Sequence, residues 1–407
     1  MIILATILSG ISLLMSVLLL VRLKEPSPVM FAKLFAGALS PYWAVAGAAG
    51  AAIGWVYRAI WVVPFGVVGA GMMIWYLWRC TQEHKGLERA FGADWSEQIN
   101  PEQTSRMVKR RWSPYINMKV SPEPIWERDV PFWTIPGNEG ELLCDVWRPS
   151  NGDVSGLALI YFHGGGWAAG EKDMFTRPLF HHLTSQGHTV MDVAYRLIPE
   201  VDIYGMIGDI KHAIAWMKAN ASRYGVDPEK IVLGGSSVGS HLALLAGYTP
   251  GHPELTPDEL KSVDLSVSGI ISYYGPSDLL ASYEQWMKQA ESSNRPEEYR
   301  YAGRLDILLG GYPQDIPEAY QLANPANHVG PDSPPTLLMQ GDRDLLVPVE
   351  TTRALYAKLV ESGVPAIKII FPWTEHMFDL ILPQISPPAQ SALYDVDRFL
   401  ALLANKD

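Results

Sequence analysis

Ile231-Val232-Leu233-Gly234-Gly235-Ser236-Ser237-Val238-Gly239-Ser240 carries a short apolar run into a cluster of glycines and serines. It then passes directly into His241-Leu242-Ala243-Leu244-Leu245-Ala246, which reads as a helix. Within it, Gly235-Ser236-Ser237-Val238-Gly239 fits Gly-x-Ser-x-Gly, the strand-to-helix turn that lifts a serine hydroxyl above a parallel sheet. Such a turn is tight, and a Cβ at either flanking glycine would crowd the neighbouring strand or helix. The spacing between the glycines selects Ser237 over the adjacent Ser236. Glycine and serine are common turn residues, so the motif gains weight only if the chain also supplies a base, an acid and an oxyanion site in the right order.

Outward from this turn, short apolar strands alternate with helices. Leu142–Trp147, Leu157–Phe162, Thr189–Tyr195, Ile231–Leu233, Val267–Tyr274, Thr336–Met339 and Ala366–Phe371 read as strands. Helices are expected at about 174–186, 206–222, 238–248, 349–362 and 388–404, the second with Ile207, Ile210, Ile214 and Met217 on one apolar stripe. Alternation of this kind implies an α/β fold, a doubly wound, mostly parallel sheet covered on both faces. Residues 276–335 separate two of these strands, too long for a tight loop, and are expected to form a substrate-covering cap. Its aromatic residues Tyr283, Trp286, Tyr299, Tyr301, Tyr312 and Tyr320 either line a pocket or pack the cap on the core.

Three further stretches at strand ends carry chemistry. His163-Gly164-Gly165-Gly166-Trp167 follows an apolar strand, and its glycines let backbone N–H groups converge on a developing oxyanion. Met339-Gln340-Gly341-Asp342-Arg343-Asp344 lies beyond the serine turn; Asp344 is the expected acid and Asp342 its rival. Phe371-Pro372-Trp373-Thr374-Glu375-His376 closes the series. Of ten histidines, His376 is the one that follows both serine and acid at a strand exit. The order Ser…Asp…His is that of a hydrolase triad on such a sheet. No histidine pairs with a carboxylate at metal-ligand spacing, so neither metal nor cofactor is expected.

From about residue 125 onward, the chain resembles α/β-hydrolases of the HGGG-type carboxylesterase group, hormone-sensitive-lipase-like and feruloyl-esterase-like. The resemblance rests on His163–Trp167, Gly235–Gly239, Tyr195-Arg196-Leu197-Ile198-Pro199-Glu200, Asp209 and the Tyr224-Gly225-Val226-Asp227-Pro228 lead-in. The turn reads Gly-Ser-Ser-Val-Gly-Ser where hormone-sensitive-lipase-like members usually read Gly-Asp-Ser-Ala-Gly-Gly, which brings it closer to feruloyl-esterase-like and formamidase-like relatives. The resemblance implies a Ser237–His376–Asp344 triad, an oxyanion hole from the N–H groups of Gly165, Gly166 and Val238, and hydrolysis of small-molecule or lipid carboxylic esters through an acyl-enzyme. A peptidase, amidase or acyltransferase on the same triad stays open, as does a catalytically silent membrane interaction module.

The first part of the chain differs in character. The 407 residues have 48% hydrophobic content and a net charge of −11, but residues 1–112 hold 11 Lys/Arg against 6 Asp/Glu. Such a split suits a basic membrane-facing portion and an acidic water-facing one. With two cysteines, Cys80 and Cys144, no disulfide framework is expected, and nucleic-acid binding has little support. Uncharged runs at Ile2–Val21, about Leu34–Tyr57 and Ala59–Trp78 are expected to be three transmembrane helices, with two plus a re-entrant hairpin as the fallback. Ala46, Gly50 and Gly54 would permit close helix packing, and Tyr57, Trp61, Trp75, Tyr76 and Trp78 would form aromatic belts.

Arg22, Lys24 and Lys33 after the first span and Arg79, Lys85 and Arg89 after the third oppose Arg58 alone, which predicts a multi-pass plasma- or inner-membrane protein with its catalytic part in the cytoplasm. Residues 1–80 then form the membrane segment, 81–121 a connector and 122–407 the hydrolase domain. Membrane lipids are the expected partners, and self-association through the spans stays open. In the connector, Leu87, Phe91, Trp95 and Ile99 are expected on one helical face, which with Lys109-Arg110-Arg111-Trp112 either lies along an anionic leaflet or packs on the hydrolase. Cys80 is either an acylation site or a passive residue.

Overall fold

The structure is a computed structural model describing all residues except 25, 119–122, 138–139, 151, 294–301 and 406–407. Tyr299, Tyr301 and the expected boundary at 121/122 therefore lie outside the described residues. Eight strands form one sheet: β1 (Ile125–Thr134), β2 (Glu141–Arg148), β3 (Gly156–Phe162), β4 (Thr189–Val193), β5 (Val226–Ser236), β6 (Gly269–Tyr273), β7 (Thr336–Gly341) and β8 (Ala366–Phe371). Their order is β1-β2-β4-β3-β5-β6-β7-β8, with β1 and β2 antiparallel at one edge and the remainder parallel. The expected mostly parallel α/β sheet is present, and β5 occupies its centre. β1 is absent from the sequence reading because Glu127, Arg128, Asp129 and Pro131 break its apolar pattern. An edge strand tolerates them.

Alternation along the parallel strands sends side chains to two separate cores. Ala158, Ile160 and Phe162 of β3 face helices α8 (Ile203–Ala219) and α9 (Val238–Tyr248), whereas Leu157, Leu159 and Tyr161 face the opposite side. The second side holds α7 (Arg177–Ser185) and α14 (Pro387–Ala404), the latter buried along nearly its whole length, whereas α13 (Val349–Glu361) joins α8 and α9, and α6 (Pro101–Arg106) precedes the sheet. Ile207, Ile210, Ile214 and Met217 all reach the first core, as their spacing predicts.

Four apolar helices precede the sheet: α1 (Ile2–Leu20), α2 (Pro28–Ala38), α3 (Ser40–Val56) and α4 (Val63–Cys80). Two stretches, Ile2–Leu20 and Ile60–Cys80, are long and apolar enough to cross a membrane; α2 and α3 form a pair bent by 75°. The expected second span is thus broken at Leu39. Pro41 sits in the first turn of α3, where its missing N–H costs no hydrogen bond, so it starts a helix instead of kinking one.

α1 presents buried Ser9 and Ser12 to α3 and α4, with Gly47 and Gly50 on one side and Gly66 and Gly69 on the other. The small-residue face of α3 therefore runs through Ala44, Gly47, Gly50 and Gly54, while Ala46 is only half-buried. Outward, Ile7, Leu14, Val45, Trp55, Trp61, Val67 and Trp78 are exposed, an apolar girdle around the four helices.

These helices do not hang from a tether. Leu34, Met73 and Tyr76 belong to the same core as Leu157, Tyr161 and Phe399. Within the connector, α5 (Gly86–Phe91) ends at Gly92, whose φ of +93° stops the helix, so no continuous amphipathic helix forms. Leu87 and Ile99 are buried against the hydrolase, and Phe91 packs edge-on to Phe399. Arg111 is buried in a two-pronged pair with Asp395 (2.6 and 2.8 Å), and Trp112 Nε1 donates to the Ile385 carbonyl at 2.9 Å. The connector is a strap across α14, so the packed alternative holds. Cys80 is buried, as a passive residue would be.

Burial alone would raise the Asp395 carboxyl; His84 and Arg111 more than offset this and hold it below its usual value. A depressed carboxylate stabilises the fold above its unfolded value and loses that contribution as pH falls through the folded one. Arg111→Met is expected to destabilise the protein by about 3–5 kcal/mol at pH 7, because a buried carboxylate loses its cation. The deficit, measured by thermal denaturation in detergent, should shrink as pH falls below about 4.

Candidate active site

Ser237 stands between β5 and α9 with φ +54° and ψ −122°, a left-handed backbone that serine adopts only when its surroundings compel it. Its N–H donates to the Tyr273 carbonyl of β6 at 2.9 Å, and its own carbonyl accepts from His241 N–H at 3.1 Å. The flanking glycines allow β3, β5 and α9 to approach: a Cβ on Gly239 would collide with the Phe162 carbonyl, and one on Gly235 with the Gly239 backbone. Ser236 remains the last residue of β5. Ser240, where relatives usually carry glycine, is fully buried; its hydroxyl reaches the Gly235 carbonyl and accepts from Tyr273 N–H at 2.9 Å, stitching β5 to β6.

Asp344 and His376 are brought together from the loops after β7 and β8. His376 Nδ1 lies 2.9 Å from Asp344 Oδ2. The other oxygen, Oδ1, accepts from the N–H groups of Leu346 and Val347, both at 2.9 Å, and Gln340 Nε2 donates to Oδ2 at 3.1 Å. Four donors thus fix the carboxylate. Asp342 faces elsewhere, accepting from Trp373 N–H at 2.6 Å.

The glycine loop closes the third side. Gly165 has φ +135° and Gly166 φ +63°, and a Cβ at Gly165 would overlap the Ala169 carbonyl. His163 stacks on Tyr195 at 4.5 Å, and the Tyr195 hydroxyl donates to the His163 carbonyl at 2.8 Å, so the loop's base is rigid. Burial keeps the His163 imidazole below its usual value, hence neutral, and suits a structural member of the loop. Trp167 is buried; its carbonyl accepts from Ile198 N–H at 2.9 Å, and its ring packs on Trp286 of the cap. Arg196 clasps Asp209 through several hydrogen bonds, the shortest 2.6 Å, holding the Tyr195–Glu200 segment against α8.

Ser237, Val238, His376 and the three glycines all line one cavity of about 220 Å³, whose other walls include Trp167, Met174, Leu346, Met377 and Leu380. The cap contributes α10 (Leu279–Ser293), α11 (Ala302–Leu309) and α12 (Pro317–Leu322). Among its described aromatics only Trp286 reaches the cavity; Tyr283 and Tyr320 pack on each other, and Tyr312 is exposed.

Two residues escaped the sequence reading. Tyr274 lies 4.2 Å from the His376 ring and donates its hydroxyl to Asp379 at 2.5 Å, whose carboxyl burial pushes up to about 6. Gln340 sat in plain view beside Asp344, but nothing local distinguishes it from an ordinary strand-end glutamine.

The profile of the family named BD-FAE matches residues 144–359, more than half the chain. The chain belongs to the BD-FAE family. The resemblance to hormone-sensitive-lipase-like and feruloyl-esterase-like proteins therefore holds. Similar proteins include the Mycobacterium tuberculosis proteins named Probable carboxylic ester hydrolase LipM (31% identical, over 63% of this chain and 57% of LipM) and Esterase LipQ (29%, over 73% and 69%). Arabidopsis thaliana isoprenylcysteine alpha-carbonyl methylesterase ICME is 27% identical over 64% of this chain and 59% of that protein. The matched stretch is thus less than three-fifths of LipM. In fold, the chain is similar to a thermophilic esterase of Thermogutta terrifontis (TM-score 0.54, 23% identity, 70% of this chain and 95% of that one). It is also similar to esterase B of Lactobacillus rhamnosis (TM-score 0.56, 22%, 78% and 97%).

In this BD-FAE chain Gly165→Ala is expected to slow labelling by a fluorophosphonate more than about tenfold, since one misplaced oxyanion donor costs about 3 kcal/mol. Labelling at the wild-type rate by the folded variant would remove the loop from the site.

Proposed function

We propose that the protein is a membrane-anchored serine hydrolase that cleaves carboxylic esters. The observation that carries this reading is the His376–Asp344 hydrogen bond, held over the same cavity as the strained Ser237 turn. Ser237 Oγ attacks the ester carbonyl while His376 takes its proton; Asp344 keeps the imidazole in the reactive tautomer and stabilises its cation. N–H groups of Gly165, Gly166 and Val238 receive the oxyanion. The alcohol leaves with the proton from His376, and water, deprotonated by the same imidazole, releases the acid. His163, Gly164, Trp167, Gly235 and Gly239 act as supports.

The membrane reading follows from the girdle and from helix length. The ends of α1 and α4 both abut the hydrolase, so α1, α3 and α4 cross in alternating directions and α2 lies on the hydrolase side. Seventeen residues of α3 rise about 25 Å, slightly less than a hydrocarbon core, so Trp55, Tyr57 and Trp61 sit near the far interface. Two corrections follow for the expected orientation. Lys33 is buried in an ion pair and cannot count as a free loop charge, which leaves five flanking cations against Arg58. Tyr76 is buried on the hydrolase side, so it is no belt residue. The balance still favours a cytoplasmic hydrolase. We assign residues 1–80 to the membrane unit, 81–121 to the strap and 122–407 to the hydrolase.

A cavity of about 220 Å³ is below the usual 300–1,000 Å³ of ligand pockets. Acetyl and butyryl p-nitrophenyl esters should therefore be hydrolysed with higher kcat/KM than the palmitoyl ester, and Ser237→Ala should lose more than about a thousandfold. Equal activity in Ser237→Ala, or cleavage of anilides with no ester cleavage, would overturn the esterase reading. For topology, a cysteine replacing Arg58 should react with an impermeant maleimide added outside intact cells, and one replacing Lys24 should not. The reverse pattern would place the hydrolase outside.

A further inference from the structure

The loop that carries His376 is built against the N-terminal helices. Lys33 Nζ of α2 forms a fully buried ion pair with Glu375, the residue immediately before His376, and also donates to the Val21 carbonyl at the end of α1. One residue earlier, Thr374 Oγ1 shares a 3.0 Å hydrogen bond with the Tyr76 hydroxyl of α4. Another residue back, the Trp373 ring lies 4.1 Å from that of Trp75 and 6.4 Å from that of Tyr76. Three consecutive residues before the histidine are thus gripped by α2 and α4.

The opposite side of the loop is tied to the acid loop: Arg343 N–H donates to the Thr374 carbonyl at 3.0 Å, and Trp373 N–H to Asp342 at 2.6 Å. Trp373 and Met377 both hold left-handed backbones, φ +54° and +64°, which a loop keeps only when its contacts dictate them.

A buried ion pair is poor glue, because desolvation offsets most of its attraction. Its retention here calls for another role, and its position supplies one. Burial pushes the Glu375 carboxyl up, Lys33 opposes that, and the nearby Asp344 carboxylate adds to the rise. Glu375 is therefore a second carboxylate beside the Asp344–His376 pair. The charged and titratable groups around it are Lys33 from α2, Asp344 from the acid loop and His376 on its own loop; the Tyr76 hydroxyl of α4 is engaged by Thr374.

We infer that Lys33 is a positioning residue for His376: its ammonium holds Glu375 away from the Asp344–His376 pair, and the membrane unit is thereby part of the hydrolytic apparatus. This rests on the serine-hydrolase reading above. The cation comes from a segment outside the family match, which begins at residue 144.

The test uses the full chain in lipid nanodiscs and follows fluorophosphonate labelling and p-nitrophenyl acetate hydrolysis against pH. Lys33→Met should lower kcat at pH 7 at least about tenfold with KM within about threefold, since ground-state binding is untouched. Its acidic limb should move to higher pH by about half a unit or more, because an unopposed carboxylate lets the cluster keep its proton longer. Glu375→Gln leaves the buried ammonium unopposed and should move the limb to lower pH. Lys33→Arg should stay within about threefold of wild type, and Lys33→Met with Glu375→Met should return the limb to its original position.

A packing role alone would change thermal stability without opposite shifts of the limb. A folded Lys33→Met variant with wild-type rate and limb overturns the inference. Should that variant fail to fold, an unmoved or upward-moved limb in Glu375→Gln does so. Wild-type protein that neither labels at Ser237 nor cleaves esters overturns the hydrolase reading, and this inference with it, a pattern unlike either of the others.

Discussion

The structure depends on a close approach that only glycine permits. Where β5 meets α9, the Gly239 backbone lies directly against the Phe162 carbonyl at the end of β3. That contact sets how far the strand can run before the helix must begin, and the residue between them, Ser237, absorbs the angular change in a left-handed backbone. With β5 at the centre of the sheet, the glycine loop after β3 arrives from one side and the loops after β6, β7 and β8 from the other. Convergence of the candidate groups follows from this order of strands, because parallel strands end at a common edge and their exit loops gather there.

The loop after β8 bears more than its own chemistry. In most parallel sheets a terminal loop faces solvent, and its conformation is secured by its neighbours in the sheet. Here one flank is knit to the loop after β7 and the other is covered by α2 and α4. The core behind it is continuous, since Tyr76 and Met73 share a cluster with Tyr161, Tyr273 and Phe378. What reads along the chain as a membrane anchor, a linker and an enzyme is packed as one body around α14.

Legibility followed the range of the interactions involved. The places of Ser237, Asp344, His376 and the glycine loop at strand exits could be read because each follows a local pattern, an apolar strand running into glycine, aspartate or a turn. The parallel sheet could be read for the same reason: buried strands are continuous apolar runs. β1 could not, since an edge strand bearing Glu127, Arg128 and Asp129 lacks that signal. The supposed helix through Leu87, Phe91, Trp95 and Ile99 had the right spacing, but Gly92 ended it, and a four-residue rhythm proved to be four separate anchors on the hydrolase. Choice of α3 face, Ala46 or Gly47, turned on which neighbour it met. The contacts of Lys33, Tyr76, Tyr274 and Gln340 were illegible because their partners are selected only by the completed packing.

The distance in sequence between Lys33 and Glu375, 342 positions, bears on how the chain is made. A chain emerging from the ribosome at about 5–20 residues per second delivers the two partners at least some seventeen seconds apart. During that interval α1 to α4 have been synthesised and Lys33 has no Glu375 to pair with, while α14, the helix that the strap crosses, does not yet exist. The ion pair is therefore among the later contacts to form during synthesis, after α2 and the central strands have been made.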